Sequence, residues 1–206
     1  MPLQEVRVQN ISARLPEHLA AGVYATGAVV LAGANEVMLD FVQSVGRSPR
    51  IVSRVILAPV AARQVAEAME QSAAAYRDRH GALPEPLPGS PAERPSIEEV
   101  YERFKLPEDL LGGAYANGVL VSFGPAEFAL EFVASLYPRA VVASRVFLGA
   151  AHLPSLLMSL RANLRRYAPR PGRVAGGEDR PPTSPPTSPP LPPPSVPPMP
   201  PPPGIV

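Results

Sequence analysis

Two pairs of oppositely charged residues are the groups in this 206-residue chain whose types and spacing could do chemistry. Asp40 precedes Arg54 by 14 positions, and Glu131 precedes Arg145 by the same 14 positions. If each pair lies on two antiparallel strands joined by a turn, acid and base face each other on one side of the sheet. Such a pair can grip an anionic ligand, or it can be a structural charge pair between domains that fixes orientation at little net stability. We favour the structural interpretation.

No other group of residues has the spacing of a catalytic, metal or cofactor site. The histidines His18, His80 and His152 show neither metal-ligand nor triad spacing. Without cysteine, the chain can form no disulfide, thiolate metal site or cysteine nucleophile. The segments 24–27 and 115–118 precede strand-like runs instead of a helix, which favours a strand kink over a phosphate-binding loop. The sequence therefore predicts no catalytic residue, no cofactor, no metal and no enzymatic activity.

Each charge pair belongs to one copy of an internal repeat. Residues 15–76 align without a gap with residues 106–167 at a constant offset of 91, with 20 identities in 62 positions. Both arginines of the charge pairs are among the identities, and so are the tyrosines that end the two copies. Chance does not keep such a register, so the sequence predicts a duplicated domain.

One copy has the pattern of a small α+β domain. In copy one the predicted elements are a short helix from Pro16-Glu17, a strand ending at Ala32, a turn at 33–35, a return strand at 37–42, a third strand at about 50–57 and a closing helix ending at Tyr76. Copy two repeats this order and ends at Tyr167. Each copy is therefore predicted to be a three- or four-stranded antiparallel meander with a C-terminal helix.

A single copy of this size would be marginally stable on its own. The second face of its predicted sheet is also apolar, with Met38, Val42, Val52 and Ile56 in copy one. We therefore predict that the two copies bury these faces together as an intramolecular pseudo-dimer, with further self-association left open.

The chain divides into four predicted segments. They are a first repeat (1–80), a proline-rich linker (81–95), a second repeat with an extra helix at 96–104 (96–168) and a disordered polyproline tail (169–206). Ser96 and Glu99 have the spacing of a capping box at the start of the extra helix. Residues 181–203 contain 15 prolines in 23 positions, which favours polyproline II. The tail could dock a proline-reading partner or act only as a spacer.

Composition argues against two classes of partner. With 19 basic and 18 acidic residues the net charge is +1, which provides no basic face for nucleic acid. The uncharged stretches 19–35 and 110–126 are short for a membrane span and are interrupted by glycine. The first residues lack the apolar segment of a secretory signal, so we expect a cytoplasmic protein.

The repeated pattern resembles a known family. The residues that carry the resemblance are the Gly-Val-Tyr segment at 22–24, the apolar-acid-Phe strand at 37–42, the Ser-Arg strand that ends near Pro59 and the closing helix with Tyr76. Together they are similar to the bacterial and archaeal domain-of-unknown-function family numbered 3467. The resemblance implies a compact domain of about one copy and brings no established activity, so this chain would be a tandem form.

Two functions remain open on the sequence. The leading hypothesis is a non-enzymatic protein-interaction or scaffold protein with an unidentified protein partner, because the chain is a tandem domain without a catalytic pattern. The alternative is a small-molecule or anion sensor in which Arg54 and Arg145 hold a ligand between the repeats.

Overall fold

The computed structural model describes residues 4–6, 13–45, 49–86, 101–102, 104, 106–136 and 139–167. The strands are β1 (Gln4–Val6), β2 (Val23–Ala25), β3 (Gly27–Ala32), β4 (Val37–Gln43), β5 (Arg50–Leu57), β6 (Ala114–Ala116), β7 (Gly118–Phe123), β8 (Glu127–Leu136) and β9 (Arg139–Gly149). The two long helices are α1 (Pro59–His80) and α2 (Leu153–Leu164). The predicted α+β class is confirmed. The predicted tail lies outside the described residues, as does most of the predicted helix at 96–104, of which Tyr101 and Glu102 are helical.

The nine strands of the described residues form two sheets, and each sheet contains strands from both repeats. The order in one sheet is β1-β7-β8-β9-β2, and the order in the other is β3-β4-β5-β6. Three consecutive antiparallel strands of each repeat stay together, because alternating apolar residues such as Leu39 and Val55 give them a common buried face. The remaining short strands join the other repeat's sheet: β1 and β2 of repeat one join the sheet of repeat two, and β6 of repeat two joins the sheet of repeat one.

The segment predicted as one strand ending at Ala32 is in fact two strands that belong to different sheets. The chain breaks at Thr26, whose hydroxyl donates to the Val42 carbonyl and accepts from the Ser44 amide. Before this break β2 pairs in parallel with β9, and β6 pairs in the same way with β5. The prediction of a single strand was wrong because the hydrogen bonds of the Thr26 side chain interrupt the strand. The kink predicted at 24–27 lies at this position, where the chain passes from one sheet to the other.

The helices also pack on the opposite repeat. Helix α1 packs on β7 of repeat two, and α2 packs on β3 of repeat one. At the end of α1 the Tyr76 hydroxyl donates to the Pro125 carbonyl at 2.7 Å. The Tyr167 hydroxyl, after α2, lies 2.9 Å from the Gly33 carbonyl oxygen and 2.7 Å from that of Glu36. The tyrosine that ends each repeat thus binds the turn between two strands of the other repeat.

One hydrophobic cluster runs through both repeats. The Phe41 and Phe132 rings, which occupy equivalent positions, lie 5.6 Å apart in it. Of the predicted joining face, Val42 is buried outside this cluster, Val52 is partly buried against it, and Met38 and Ile56 are half-buried. The apolar burial lies instead on the opposite face of the strands, where the helices cover it. Pairing of the repeats through the predicted face is therefore not confirmed, and the similar apolar patterns of the two faces could not distinguish them.

Candidate functional site

A cavity of about 240 Å³ lies between the repeats, and we call it the inter-repeat cavity. Both repeats contribute the same seven positions to its wall, each pair separated by the repeat offset. These pairs are His18 and Asp109, Leu19 and Leu110, Gly22 and Gly113, Val23 and Ala114, Val52 and Ala143, Ser53 and Ser144, and Arg54 and Arg145. The wall is therefore symmetric in position but differs in residue type at three of the seven pairs.

A β-bulge in each repeat shapes the cavity. The pairing of β4 with β5 shifts after Phe41, which leaves Val52 without a partner, and the same shift leaves Ala143 without a partner on β8. On the other side of β5, the pairing with β6 begins only at Val55. Residues 52–54 therefore expose an edge of backbone toward the cavity, and so do the equivalent residues 143–145.

The two bulged strands meet at a pair of serines. The Ser53 and Ser144 hydroxyl oxygens are 2.7 Å apart, and both residues are buried. Because one hydroxyl proton suffices for this bond, the second hydroxyl proton remains available at the cavity. No partner lies near either serine in the sequence, so the sequence gives no sign that they are site residues. Their contact with each other is seen only in the structure.

The structure brings Asp40 and Arg54 together as a bidentate pair. The Arg54 Nε and Nη2 atoms each lie 2.7 Å from an Asp40 carboxylate oxygen, and the Asp40 side chain is fully buried. The Tyr101 hydroxyl donates to the same carboxylate. Burial and this hydrogen bond raise the pKa of Tyr101 to about 12, and the hydrogen bond to Asp40 raises the pKa of Arg54. At neutral pH the hydroxyl stays protonated, and the carboxylate is surrounded by donors.

The structure also brings Glu131 and Arg145 together, but more loosely. The Arg145 Nε lies 3.3 Å from Glu131 Oε1 without the alignment of a hydrogen bond, and both side chains are about one-fifth exposed. No tyrosine of the described residues caps this pair. Tyr101 comes from the linker side of repeat two and has no repeated counterpart, so the sequence offered no signal for it.

Each arginine also contacts the N-terminal segment of the other repeat. We call residues 13–26 and 106–117 the entry arms. Arg145 Nη1 donates to the Ala20 carbonyl at 2.8 Å, and Arg54 Nη1 approaches the Leu111 carbonyl at 3.4 Å. Ala20 and Leu111 are equivalent positions, so the two contacts correspond. The arginine of each charge pair therefore contacts the entry arm whose strand pairs with the arginine's own strand.

Comparison with known proteins agrees with the repeat. The model of the family described as "Protein of unknown function (DUF3467)" matches the chain twice, over residues 2–85 and 90–175. The chain belongs to the DUF3467 family. No curated protein and no solved structure matches it. The family brings no assigned activity, so any function of this DUF3467 chain has to come from its own geometry.

Two kinds of feature are not found in the part of this DUF3467 chain that the structure describes. Across the described ranges, no group of three or more acidic, histidine or cysteine side chains is arranged to hold a metal ion. Neither α1, α2 nor any shorter helix of those ranges has the length and apolar character to cross a bilayer.

Each entry arm of this DUF3467 chain contains a one-turn helix, Glu17–Leu19 or Glu108–Leu110, and the glycine that ends the turn after it is required by both conformation and space. Gly113 has a φ of 64°, and a Cβ there would lie 2.9 Å from both Arg54 Cγ and Ile56 Cδ1. We expect Gly113→Ala to lower the free energy of unfolding by about 2 kcal/mol, since a left-handed backbone and an overlap are combined. Urea denaturation measures this change.

The adjacent glycine is the matched control. A Cβ on Gly112 would meet no atom within 4 Å. We expect Gly112→Ala to change the free energy of unfolding by less than about 0.5 kcal/mol. Equal effects of the two substitutions would mean that the entry arm does not approach β5 as closely as described.

Proposed function

We propose that this chain is a non-enzymatic protein-interaction module, built as the fused form of a dimer whose two domains complete each other. The observation that carries the fused-dimer part is the reciprocal exchange of β2 and β6. Contacts between equivalent residues, such as Ser53 with Ser144, are what a two-fold arrangement produces at its axis. A pseudo-dimer explains both features.

The state of the charge pairs supports the non-enzymatic part. A general base needs an accessible carboxylate that can take a proton. Asp40 is fully buried and accepts hydrogen bonds from both Arg54 and Tyr101. Its oxygens are occupied by donors, so we assign it the role of holding Arg54 in place and not that of a catalyst.

A difference between the two repeats supports protein binding. The outer edge of β7 pairs with β1, over Val121 to Phe123. The equivalent edge of β3 pairs with no strand among the described residues. There, side chains cap two carbonyls: Asn163 donates to Val30, and Arg166 donates to Ala32. We call the outward backbone groups of residues 28, 30 and 32 the β3 edge.

The β3 edge fits a partner that adds an extended strand. The sheet that ends at β7 accepts such a strand in the equivalent place, which supports pairing at the β3 edge. The two capping side chains satisfy the carbonyls in the free state, as edges of native sheets usually are protected. A partner strand would replace them with main-chain hydrogen bonds.

Co-purification with the full chain tests this function. Ala28 directs its amide away from β4, so Ala28→Pro removes a docking donor without removing a bond to β4. The control is Ala34→Pro, because repeat two carries Pro125 at that position of the turn. We expect a reproducible protein partner to be recovered by the unchanged chain and by the control, and to be lost with Ala28→Pro at an unchanged melting temperature.

The tail is tested in the same experiment. A chain that ends at residue 168 retains the partner if the sheet edge binds it and loses the partner if the tail docks it. Recovery of no reproducible partner by any of these chains would contradict the protein-interaction function, and retention by Ala28→Pro would move the contact away from the β3 edge.

A second candidate function is binding of a small molecule or anion in the inter-repeat cavity. The observation that favours it is that Arg54 and Arg145 both line this cavity together with the buried serine pair. Such a site would be formed by both repeats, so ligand binding would stabilise their association.

A further inference from the structure

The charges around the inter-repeat cavity limit what it can bind. Two guanidinium groups, those of Arg54 and Arg145, line the cavity, and Asp40 and Glu131 pair with them. Asp109 adds a third carboxylate to the wall. The surroundings are therefore not positive when His18 is neutral. A phosphate or another polyanion would meet no excess of positive charge, so the cavity is poorly suited to such ligands.

The two arginines differ in the donors that they have left. Arg54 uses Nε, Nη1 and Nη2 in contacts with Asp40, Leu111 and Tyr101. Arg145 uses Nη1 for the Ala20 carbonyl and holds Nε against Glu131, while Nη2 has no hydrogen-bond partner in the described part of the chain. These contacts use four of the five N–H groups of Arg54 and leave one on Nη1, whereas both N–H groups of Arg145 Nη2 are left, so Arg145 is the better donor to a ligand carboxylate.

The cavity wall also contains one acidic residue, Asp109. Asp109 belongs to the entry arm whose Leu111 carbonyl approaches Arg54, and His18 belongs to the arm whose Ala20 carbonyl binds Arg145. Asp109 takes part in no ion pair among the described residues and lines the cavity. The cavity wall thus includes a guanidinium with donors to spare, that of Arg145, and an exposed carboxylate, that of Asp109, on the arm that contacts Arg54.

Size and wall chemistry narrow the ligand further. A volume of about 240 Å³ holds about eight waters at roughly 30 Å³ each. Six of the wall residues are aliphatic: Leu19, Val23, Val52, Leu110, Ala114 and Ala143. An aliphatic body of fewer than about ten heavy atoms would fill this space and remove the apolar wall from water.

We propose that the inter-repeat cavity binds a small aliphatic amino acid as a zwitterion, with its carboxylate at Arg145 Nη2 and its ammonium group toward Asp109. The ligand carries no net charge, which matches surroundings that have no excess of positive charge. The proposal rests on the second candidate function and names the ligand class for the same site.

Calorimetric titration of the full chain with L-leucine tests the proposal. We expect a dissociation constant of the order of 0.1 mM, as for a well-fitted ligand of about nine heavy atoms. Two matched probes remove one charge each: 4-methylpentanoate lacks the ammonium group, and 3-methylbutylamine lacks the carboxylate. Each should bind about tenfold more weakly than leucine, and inorganic phosphate should not bind.

Two substitutions test whether leucine binds in the inter-repeat cavity. Ala143→Leu fills the cavity from the bulge without touching either charge pair and should weaken leucine binding at least about tenfold. Asp109→Asn should weaken leucine about threefold and leave 4-methylpentanoate unchanged, since that probe lacks the ammonium group. Asp78→Asn removes the same charge from an exposed position on α1 and should change neither affinity.

The outcomes separate the ligand class from the function itself. Binding of 4-methylpentanoate, the amine or phosphate as tightly as leucine, with loss on Ala143→Leu, would overturn the zwitterion and leave a ligand-binding cavity. Leucine binding that is unaffected by Ala143→Leu would overturn the site. If no probe binds the unchanged chain, the proposed ligand class and the second candidate function both fail.

Discussion

Replacing Asp40 by alanine is expected to lower the free energy of unfolding by about 3–5 kcal/mol. The substitution leaves the Arg54 guanidinium, whose side chain is only 10% exposed, without its carboxylate. Loss of one member of a buried ion pair costs this much because the remaining charge stays away from water. The Tyr101 hydroxyl loses its acceptor at the same time. Urea denaturation followed by circular dichroism measures the change.

The equivalent substitution in repeat two is the matched control. Glu131 is 25% exposed and Arg145 is 19% exposed, so water can hydrate the charge that remains. We expect Glu131→Ala to cost about 1 kcal/mol or less, as is usual for partly solvated pairs. Similar losses in the two variants would mean that the Asp40 pair is not buried as described.

The second large effect concerns repeat one on its own. A chain of residues 1–86 lacks the strand that pairs with β5 and the helix that covers β3, because β6 and α2 both come from repeat two. We expect this chain to be either unfolded or a dimer that exchanges the same elements between two molecules. Light-scattering mass and the cooperativity of thermal unfolding distinguish these states.

The control is the chain of residues 1–168, which holds every element that the repeats exchange. We expect it to be a folded monomer with cooperative unfolding. A short chain that is both monomeric and cooperatively folded would show that one repeat needs no second one, and the fused-dimer proposal would fail.

Local elements were predictable because their signals lie within a few residues. The strand at Arg50–Leu57 has the predicted bounds, and the predicted closing helix exists as α1, with Tyr76 buried, although it continues to His80. The exchange was not predictable. The sequence of a three-residue strand such as β2 is compatible with pairing in its own repeat and in the other repeat. The break at Thr26 and the packing of the two repeats select the second.

The site was predictable in part for the same reason. The 14-residue spacing correctly placed Asp40 opposite Arg54, since register across a short turn is a local property. Tyr101 joins this pair from far along the chain, and the cavity arises from bulges at Val52 and Ala143, which leave no mark in the alternating pattern. Contacts of this kind depend on how the repeats meet.

The contact between α1 and α2 shows what joining two copies in one chain makes possible. Glu70 and Arg161 occupy equivalent positions and form an ion pair. In an association of two identical subunits, each residue at the axis faces itself, so this position would set glutamate against glutamate or arginine against arginine. Opposite charges can meet there only after the halves have diverged. The divergence favours pairing of unlike halves, and it discourages either half from recruiting its own kind from a neighbouring molecule.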